Sequence, residues 1–408
     1  MSDFNNFALN DKIVSGLQAM GFDKPTPIQE QAIPIILDHH DIIGCAQTGT
    51  GKTAAYLLPV IQHIVDSSPQ HINTLIIAPT RELAQQIDQH MEGFAYFTPV
   101  SSIAIYGGRD GASFVREKEA LTKGADIIIT TPGKFLQHLN LGYVDLSQLR
   151  HFILDEADRM LDMGFFEDII RIASQLPKKR QTLLFSATMP PKIRVMAQKI
   201  LKDPKQINIA MSKPAEGVFQ AAFYTYNHQK VPLIEHLLMA RNITSAIVFC
   251  STKKSVKEIE QALKGIALNV KSIHSDLEQA EREKVLLSFR NKQTQVLVAT
   301  DIVARGIDIE DIELIINYNV PRDAEDYVHR VGRTARAEST GIAFTFINDD
   351  DRYKFRNIEK LVGRTISKGQ LPEHLGSAPD PNARPKPSGD SHRHRNHRKG
   401  KHFKKRRN

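Results

Sequence analysis

Only two cysteines occur in 408 residues, so no disulfide framework holds this chain together. Both Cys45 and Cys250 fall in apolar stretches and are expected to be buried core thiols in a reducing cytoplasm. No apolar run reaches the roughly 18 residues that crossing a bilayer requires. The opening MSDFNN does not read as a secretory leader, so neither a membrane partner nor export is expected. No internal sequence repeat is evident. An excess of one charge is also missing from most of the chain. From Gly376 to Asn408 there are eleven Lys and Arg against two Asp, which leaves 43 basic and 44 acidic residues elsewhere. The net charge of +8 therefore lies in that tail. Its Pro, Gly, Ser, His and Arg content predicts a disordered basic arm that holds nucleic-acid phosphates weakly, without sequence preference and with strong salt dependence. Four tail histidines (His392, His394, His397 and His402) lack structured partners and are not read as a metal site.

Two short strings carry the chemistry. AQTGTGKT, Ala46 to Thr53, follows the apolar stretch DIIGCA and precedes TAAYLLPVIQHIV, which has helical apolar spacing. A strand, a small-residue turn and a helix N-terminus gather backbone N–H groups around one anion. Gly49 and Gly51 allow close approach of the backbone to phosphates, and Lys52 reaches the β- and γ-phosphates while Thr53 ligates Mg²⁺. Ala46 stands where the general pattern opens with Gly. DEAD, Asp155 to Asp158, follows the apolar HFIL and puts carboxylates at the end of a second strand, beside the phosphate crevice of an open α/β sheet. Asp155 would hold the Mg²⁺ hydration shell, and Glu156 would orient or deprotonate the attacking water. Taken together they specify a nucleoside triphosphate and its metal far better than either does alone.

With these motifs in order, the chain resembles the DEAD-box RNA helicases from about Phe4 to Phe346. GFDKPTPIQ, Gly21 to Gln29, is similar to the family's adenine-reading segment. The resemblance implies ATP, with Gln29 bidentate on the adenine edge, Phe4 and Phe22 near the base, and Thr26 supporting the loop. Gln47, Thr48 and Thr50 complete the phosphate loop. The resemblance also implies RNA backbone contacts from Pro79, Thr80 and Arg81, from Gly107 and Gly108, and from Thr131, Pro132 and Gly133. Glycine and threonine at strand ends suit phosphate approach without base reading. Lys134 replaces the family's Arg after TPG, keeping charge without the bidentate fork. SAT, Ser186 to Thr188, resembles the segment that links ATP state to strand separation, with Ser186 and Thr188 bonding the acidic motif at Asp158.

Beyond Gln220 a second alternation of apolar strands and helical patterns predicts a second parallel sheet with helices on both faces, without a phosphate loop of its own. HRVGRTAR, His329 to Arg336, resembles the family's arginine fingers, which implies Arg333 and Arg336 against the ATP phosphates and His329 at the coupling interface. ARGID implies a nucleotide contact for Gly306 and a ribose contact for Asp308; Gln279, Arg282 and Thr300 match positions at RNA or the domain interface. Ser275 and Ala335 are small departures from glycines of the family pattern.

The expected architecture is α/β: two tandem RecA-like domains, each a mostly parallel sheet with helices on both faces, plus the disordered basic C-terminal tail. Its expected bounds are 1–210, a linker at 211–219 with its break at Met211 to Gly217, 220–365, and a tail at 366–408. The expected function is an ATP- and Mg²⁺-dependent RNA helicase that closes on RNA and unwinds short duplexes. Its overall pattern is most like bacterial RhlE-type members, which implies a monomer in the cytoplasm with ribosomal or RNA-decay partners. A DNA helicase or remodeller of the same superfamily, and an RNA clamp without turnover, are the rival readings.

Overall fold

Segments such as TLII (Thr74–Ile77) and IIIT (Ile127–Thr130) are apolar along most of their length because both faces of their sheet are covered. The computed structural model describes residues 3–47, 49–67, 71–107, 111–209, 218–240, 243–265, 269–300, 312–334 and 341–381. In chain order the strands of the first sheet are β1 (Ile42–Cys45), β2 (Thr74–Ile77), β3 (Ser102–Ile105), β4 (Ile127–Thr130), β5 (His151–Leu154), β6 (Gln181–Ser186) and β7 (Lys205–Asn208). The second has β8 (Val218–Tyr224), β9 (Ala246–Cys250), β10 (Val270–Ile273), β11 (Val296–Thr300), β12 (Leu314–Asn317), β13 (Gly341–Ile347) and β14 (Ser367–Lys368).

The spatial orders are β3-β4-β2-β5-β6-β1-β7 and β10-β11-β9-β12-β13-β8-β14, and every described pairing is parallel. Counted from its own first strand, each sheet has the same order, so the two units share one topology. Alternate side chains enter opposite helix layers. On β5, Ile153 joins one core while Phe152 and Leu154 join the other. The second sheet is likewise faced by two cores. The strand order reverses beside β1, and strand carboxyl ends at such a point form the crevice that binds ligands.

Where the first sheet has its phosphate loop, the second has only Thr225 and Tyr226 between β8 and the helix Asn227–Met239. Gln229 of that helix donates to the carbonyls of Leu375 and Ser377 at 2.8 and 3.0 Å.

Two expected bounds move. β8 begins at Val218, inside the expected linker, while 210–217 lie outside the described residues. Ordered structure also continues past 365, against the expected tail start at 366. β14 pairs with β8, and the Arg352 guanidinium donates to the carbonyls of Asp380 and Pro381. The reason is apolar content ahead of the charge: Ile366 is buried, and Leu371 and Leu375 pack on the core. The basic arm beyond 381 lies outside the described residues.

Truncation tests this packing. A chain ending at Thr365 should be less stable than one ending at Pro381 by about 2 kcal/mol or more, since it exposes an isoleucine-sized apolar contact and takes the Asp380 and Pro381 carbonyls from Arg352. Equal denaturation midpoints would show that 366–381 adds nothing.

Candidate functional site

The phosphate loop is held in shape by its own charged and polar groups. Lys52, at the start of the helix Lys52–Ser67, is buried and donates to the Ala46 carbonyl at 2.6 Å. Ala46 N–H in turn donates to Ser186 O at the end of β6. Ala46 therefore sits in an ordinary strand-end geometry and needs no glycine. Gly49 and Gly51 do adopt the left-handed backbone region, at φ +80° and +86°. A Cβ on Gly51 would come within 2.4 Å of Gln29 Nε2, so only glycine leaves this cradle open. The Thr50 hydroxyl closes the loop onto Gln47 O, and Thr48 lies outside the described residues.

The segment from Gly21 to Gln29 packs against the phosphate loop. Gln29 is fully buried. Its Oε1 accepts from Thr26 N–H at 2.9 Å and its Nε2 donates to Gly51 O at 3.1 Å, while the Thr26 hydroxyl donates to Thr50 O. These two bonds use one N–H and one Oε1 lone pair of the amide and leave one of each. The amide caps its own helix, Pro27–Leu37, and braces the phosphate loop. Phe4, expected near a base, is packed in the core, and Phe22 sets its ring edge-on to Phe94 at 5.3 Å. Phe4 is buried, whereas Phe22 stays partly exposed at the edge of that core.

The two carboxylates at the end of β5 have opposite surroundings. Asp155 is buried; its Oδ2 accepts from the Tyr56 hydroxyl and its Oδ1 from Glu156 N–H, both at 2.9 Å. Burial pushes its carboxyl up to about 6, although Lys52 pulls the other way. Glu156 is also desolvated, yet Arg159, Lys52 and Arg333 hold it below the usual carboxylate range. Arg159 reaches Glu156 Oε2 at 3.1 Å. Glu156 has φ +52°, a strained setting for a residue with a side chain, and it caps the helix Ala157–Asp162. Thr53 and Asp155 offer only oxygen, the donor set a small hard dication prefers, and such an ion would return the buried Asp155 to its ionised form. The residues therefore fit Mg²⁺.

Asp158 faces β6. Its Oδ2 accepts from Thr188 N–H at 2.9 Å and from the Thr188 hydroxyl at 3.0 Å, while its own N–H donates to Ser186 Oγ. The two strand ends are thereby locked together. A cavity of about 680 Å³ opens here, lined by Lys52, Glu156, Asp158 and Thr188 from the first unit and by His329 and Arg333 from the second. His329 lies on the helix Ala324–Val331 and Arg333 just after it. Cys45 also lines this cavity and is half-buried, unlike Cys250, so only one thiol is the buried core residue expected. Gly306, Asp308 and Arg336 lie outside the described residues.

Of the residues assigned to RNA, the described ones in the first unit follow β2, β3 and β4. Pro79 and Thr80 follow β2, and the Thr80 hydroxyl caps the helix Arg81–Phe94. Arg81 donates to Gln279 across the two units at 3.3 Å, and Arg282 pairs with Glu82 at 3.3 Å. Gly107 leaves room for the Arg81 guanidinium, which a Cβ there would meet at 3.2 Å. Gly108 lies outside the described residues. Thr131 and Pro132 start the helix Pro132–Asn140, followed by Gly133, and Thr300 ends β11. Lys134 points inward: it pairs with buried Glu117 at 2.9 Å, and the buried His138 contacts the same oxygen at 3.2 Å. It braces the TPG loop from behind.

Sequence reasoning missed Tyr56, Arg159, Glu82 and Glu117. It also missed Arg330, which is buried, donates to Asn317 and Asn319 O, and stands 4.9 Å over the Phe249 ring. Glu82 and Arg330 lie inside PTRELA and HRVGRTAR, and Arg159 directly follows DEAD, which is the signal the sequence offered for them; Tyr56 and Glu117 had none.

Residues 26–196 match the DEAD/DEAH box helicase family and residues 229–338 the helicase conserved C-terminal domain. The chain is 41% identical over 373 residues to the ATP-dependent RNA helicase CshA of Listeria monocytogenes, covering 91% of this chain and 71% of that protein. It is 39% identical to the ATP-dependent RNA helicase DeaD of Haemophilus influenzae, covering 91% of this chain but only 60% of that protein. Among solved structures it is similar to S. cerevisiae Dbp5 bound to RNA and ADP BeF3, at 30% identity and a TM-score of 0.81, covering 90% of this chain and 96% of that one. It is also similar to Mss116p bound to ssRNA and AMP-PNP, at 27% identity and a TM-score of 0.80, covering 91% and 80%.

The buried Asp155 gives a pH prediction. The fold retains a proton on it up to about pH 6, whereas the unfolded chain releases it near 3.8. Its contribution to stability is complete below 3.8 and is lost as pH rises through about 6. In buffer free of nucleotide and metal, Asp155→Asn should gain on the native chain across that window, by at most about 3 kcal/mol at neutral pH. Thermal unfolding at acid and neutral pH measures the gain, and a pH-independent difference would contradict it.

Proposed function

Because the chain belongs to the DEAD-box family of ATP-dependent RNA helicases, we propose that ATP and a single RNA strand draw its two sheets together, and that this closure opens short duplexes. The observation that supports it best is the cavity in which Glu156 of the first unit and Arg333 of the second face one another. Neither unit has both groups.

In this reading Lys52 and the loop from Ala46 to Thr53 hold the phosphates, and Asp308 meets the ribose. Bound Mg²⁺, held by Thr53 and through water by Asp155, would neutralise phosphate charge and orient the oxygens. Glu156, kept ionised by Arg159, positions and deprotonates the attacking water. Arg333 and Arg336 meet the charge that develops on the transferred phosphoryl group, a contribution worth about 10³–10⁵ in rate in related chemistry. Beyond its bonds to Gly51 O and from Thr26 N–H, the Gln29 amide keeps one N–H and one Oε1 lone pair for the adenine edge, so one side chain would link the base to the phosphate loop. The Asp158–Thr188 bonds would carry the nucleotide state to the RNA side, where Arg81, Gly107, Thr131 and Gln279 contact backbone without reading sequence. The cellular setting we infer is the cytoplasm, as a monomer acting in ribosome assembly or RNA decay, by its likeness to RhlE-type members. Among the described residues no helix is long and apolar enough to cross a membrane.

Steady-state ATP hydrolysis tests the reading. Single-stranded RNA should stimulate it strongly and matched DNA little; equal stimulation would favour a DNA remodeller, and no hydrolysis a clamp. Glu156→Gln should lower RNA-stimulated turnover at least about 10²-fold. Near-normal turnover in that variant would remove Glu156 from its role.

A further inference from the structure

A second cluster of chemistry-bearing side chains lies at the opposite, amino-terminal ends of the first sheet. His151 opens β5, His63 is near the end of the helix Lys52–Ser67, and His39 follows the helix Pro27–Leu37. Their ligand nitrogens all lie within 4.8 Å of one another. The His39 ring stacks on His63 with centroids 4.1 Å apart. His39 is exposed and has φ +60°, a costly conformation for a residue with a side chain.

Hydrogen accounting shows what the inner pair lacks. A neutral imidazole has one N–H and one lone pair. His63 Nε2 is 3.2 Å from the Leu37 carbonyl, which only accepts, so the hydrogen belongs there and Nδ1 is left as a lone pair. His151 Nδ1 is 2.8 Å from Asn73 Oδ1, an acceptor, and 3.3 Å from the Thr74 hydroxyl, which can donate or accept; with the hydrogen on Nδ1, directed at the nearer Asn73 oxygen, Nε2 is left as a lone pair. These two lone pairs face each other across 3.0 Å. Such a gap calls for a shared cation. A proton is disfavoured because burial lowers the basicity of both rings, His151 to about 3, with His39 and Arg150 adding repulsion there.

We propose that His39, His63 and His151 form a site for a borderline divalent transition metal, for which Zn²⁺ is the probe. Neutral imidazoles are the ligands such an ion selects, and the Leu37 and Asn73 oxygens would fix the rings from behind. Zn–N bonds of about 2.0–2.1 Å in tetrahedral geometry place nitrogens about 3.3 Å apart, so the inner pair need open by only a few tenths of an ångström. His39, at the surface, turns its ring to supply the third nitrogen and leaves the fourth position to water. The bound ion would tie together three segments that carry Gln29, Lys52 and Asp155 toward the other end of the sheet. Lys52 and His63 are separated by about 16 Å of helix. The site is therefore structural or regulatory, outside the hydrolytic cleft.

Zn²⁺ titration of the full-length protein tests it, with His392, His394, His397 and His402 changed to Asn so that the tail cannot bind. One equivalent should bind, Co²⁺ should show a tetrahedral visible band, and saturating Zn²⁺ should raise Tm. His39→Ala, at an exposed position, should weaken binding at least tenfold and reduce the Tm shift that saturating Zn²⁺ produces. Absence of any bound equivalent overturns the proposal, and so does a bound equivalent indifferent to His39→Ala. The first result is what a turned Asn73 amide would give. Its Nδ2, which has no partner, would then donate to His151 and close the string without a cation.

Discussion

Two adjacent carboxylates at the end of one buried strand cannot both be comfortable, and the site is organised around that constraint. Asp155 is pushed up to about 6 by burial while Glu156 is held down by Arg159, Lys52 and Arg333. Environments that separate neighbouring acids in this way assign them different tasks. Asp155 suits an ion that restores its charge. Glu156 suits a base that must stay ionised, and part of what keeps it so comes from the other unit. The chemistry therefore depends on where the second sheet stands.

The fold makes that dependence natural. Two sheets of one topology present strand carboxyl ends, but only the first has a phosphate loop. In the second, the corresponding turn is short and is capped through Gln229 by the chain's later segment. The second unit thus contributes charge to a nucleotide site it cannot form. Arg81 with Gln279 and Arg282 with Glu82 already join the two units. Closure over RNA would exchange or extend those bonds.

Much of this could be read from the sequence because motif spacing and buried-strand composition are local. AQTGTGKT and DEAD sit at strand ends in the structure, as the apolar runs before them imply. What could not be read depends on contacts between distant segments. Gln29 is buried against Gly51, and Lys134 is paired with Glu117; both depend on how helices pack, which composition does not encode. Ordered structure runs past 365 because three apolar anchors, Ile366, Leu371 and Leu375, stand among turn residues that mask them in the sequence. The histidine cluster was invisible for the same reason, since its members are far apart in the chain.

The central claim is that ATP and RNA act through one shared closure, so their binding free energies must be coupled. The most direct measurement is the affinity of a non-hydrolysable ATP analogue with and without saturating single-stranded RNA, paired with RNA affinity with and without the analogue. The account predicts equal improvement in both directions, on the order of 5–150-fold, collapsing toward unity in Arg333→Ala. Independent binding of the two ligands in the native chain would contradict it.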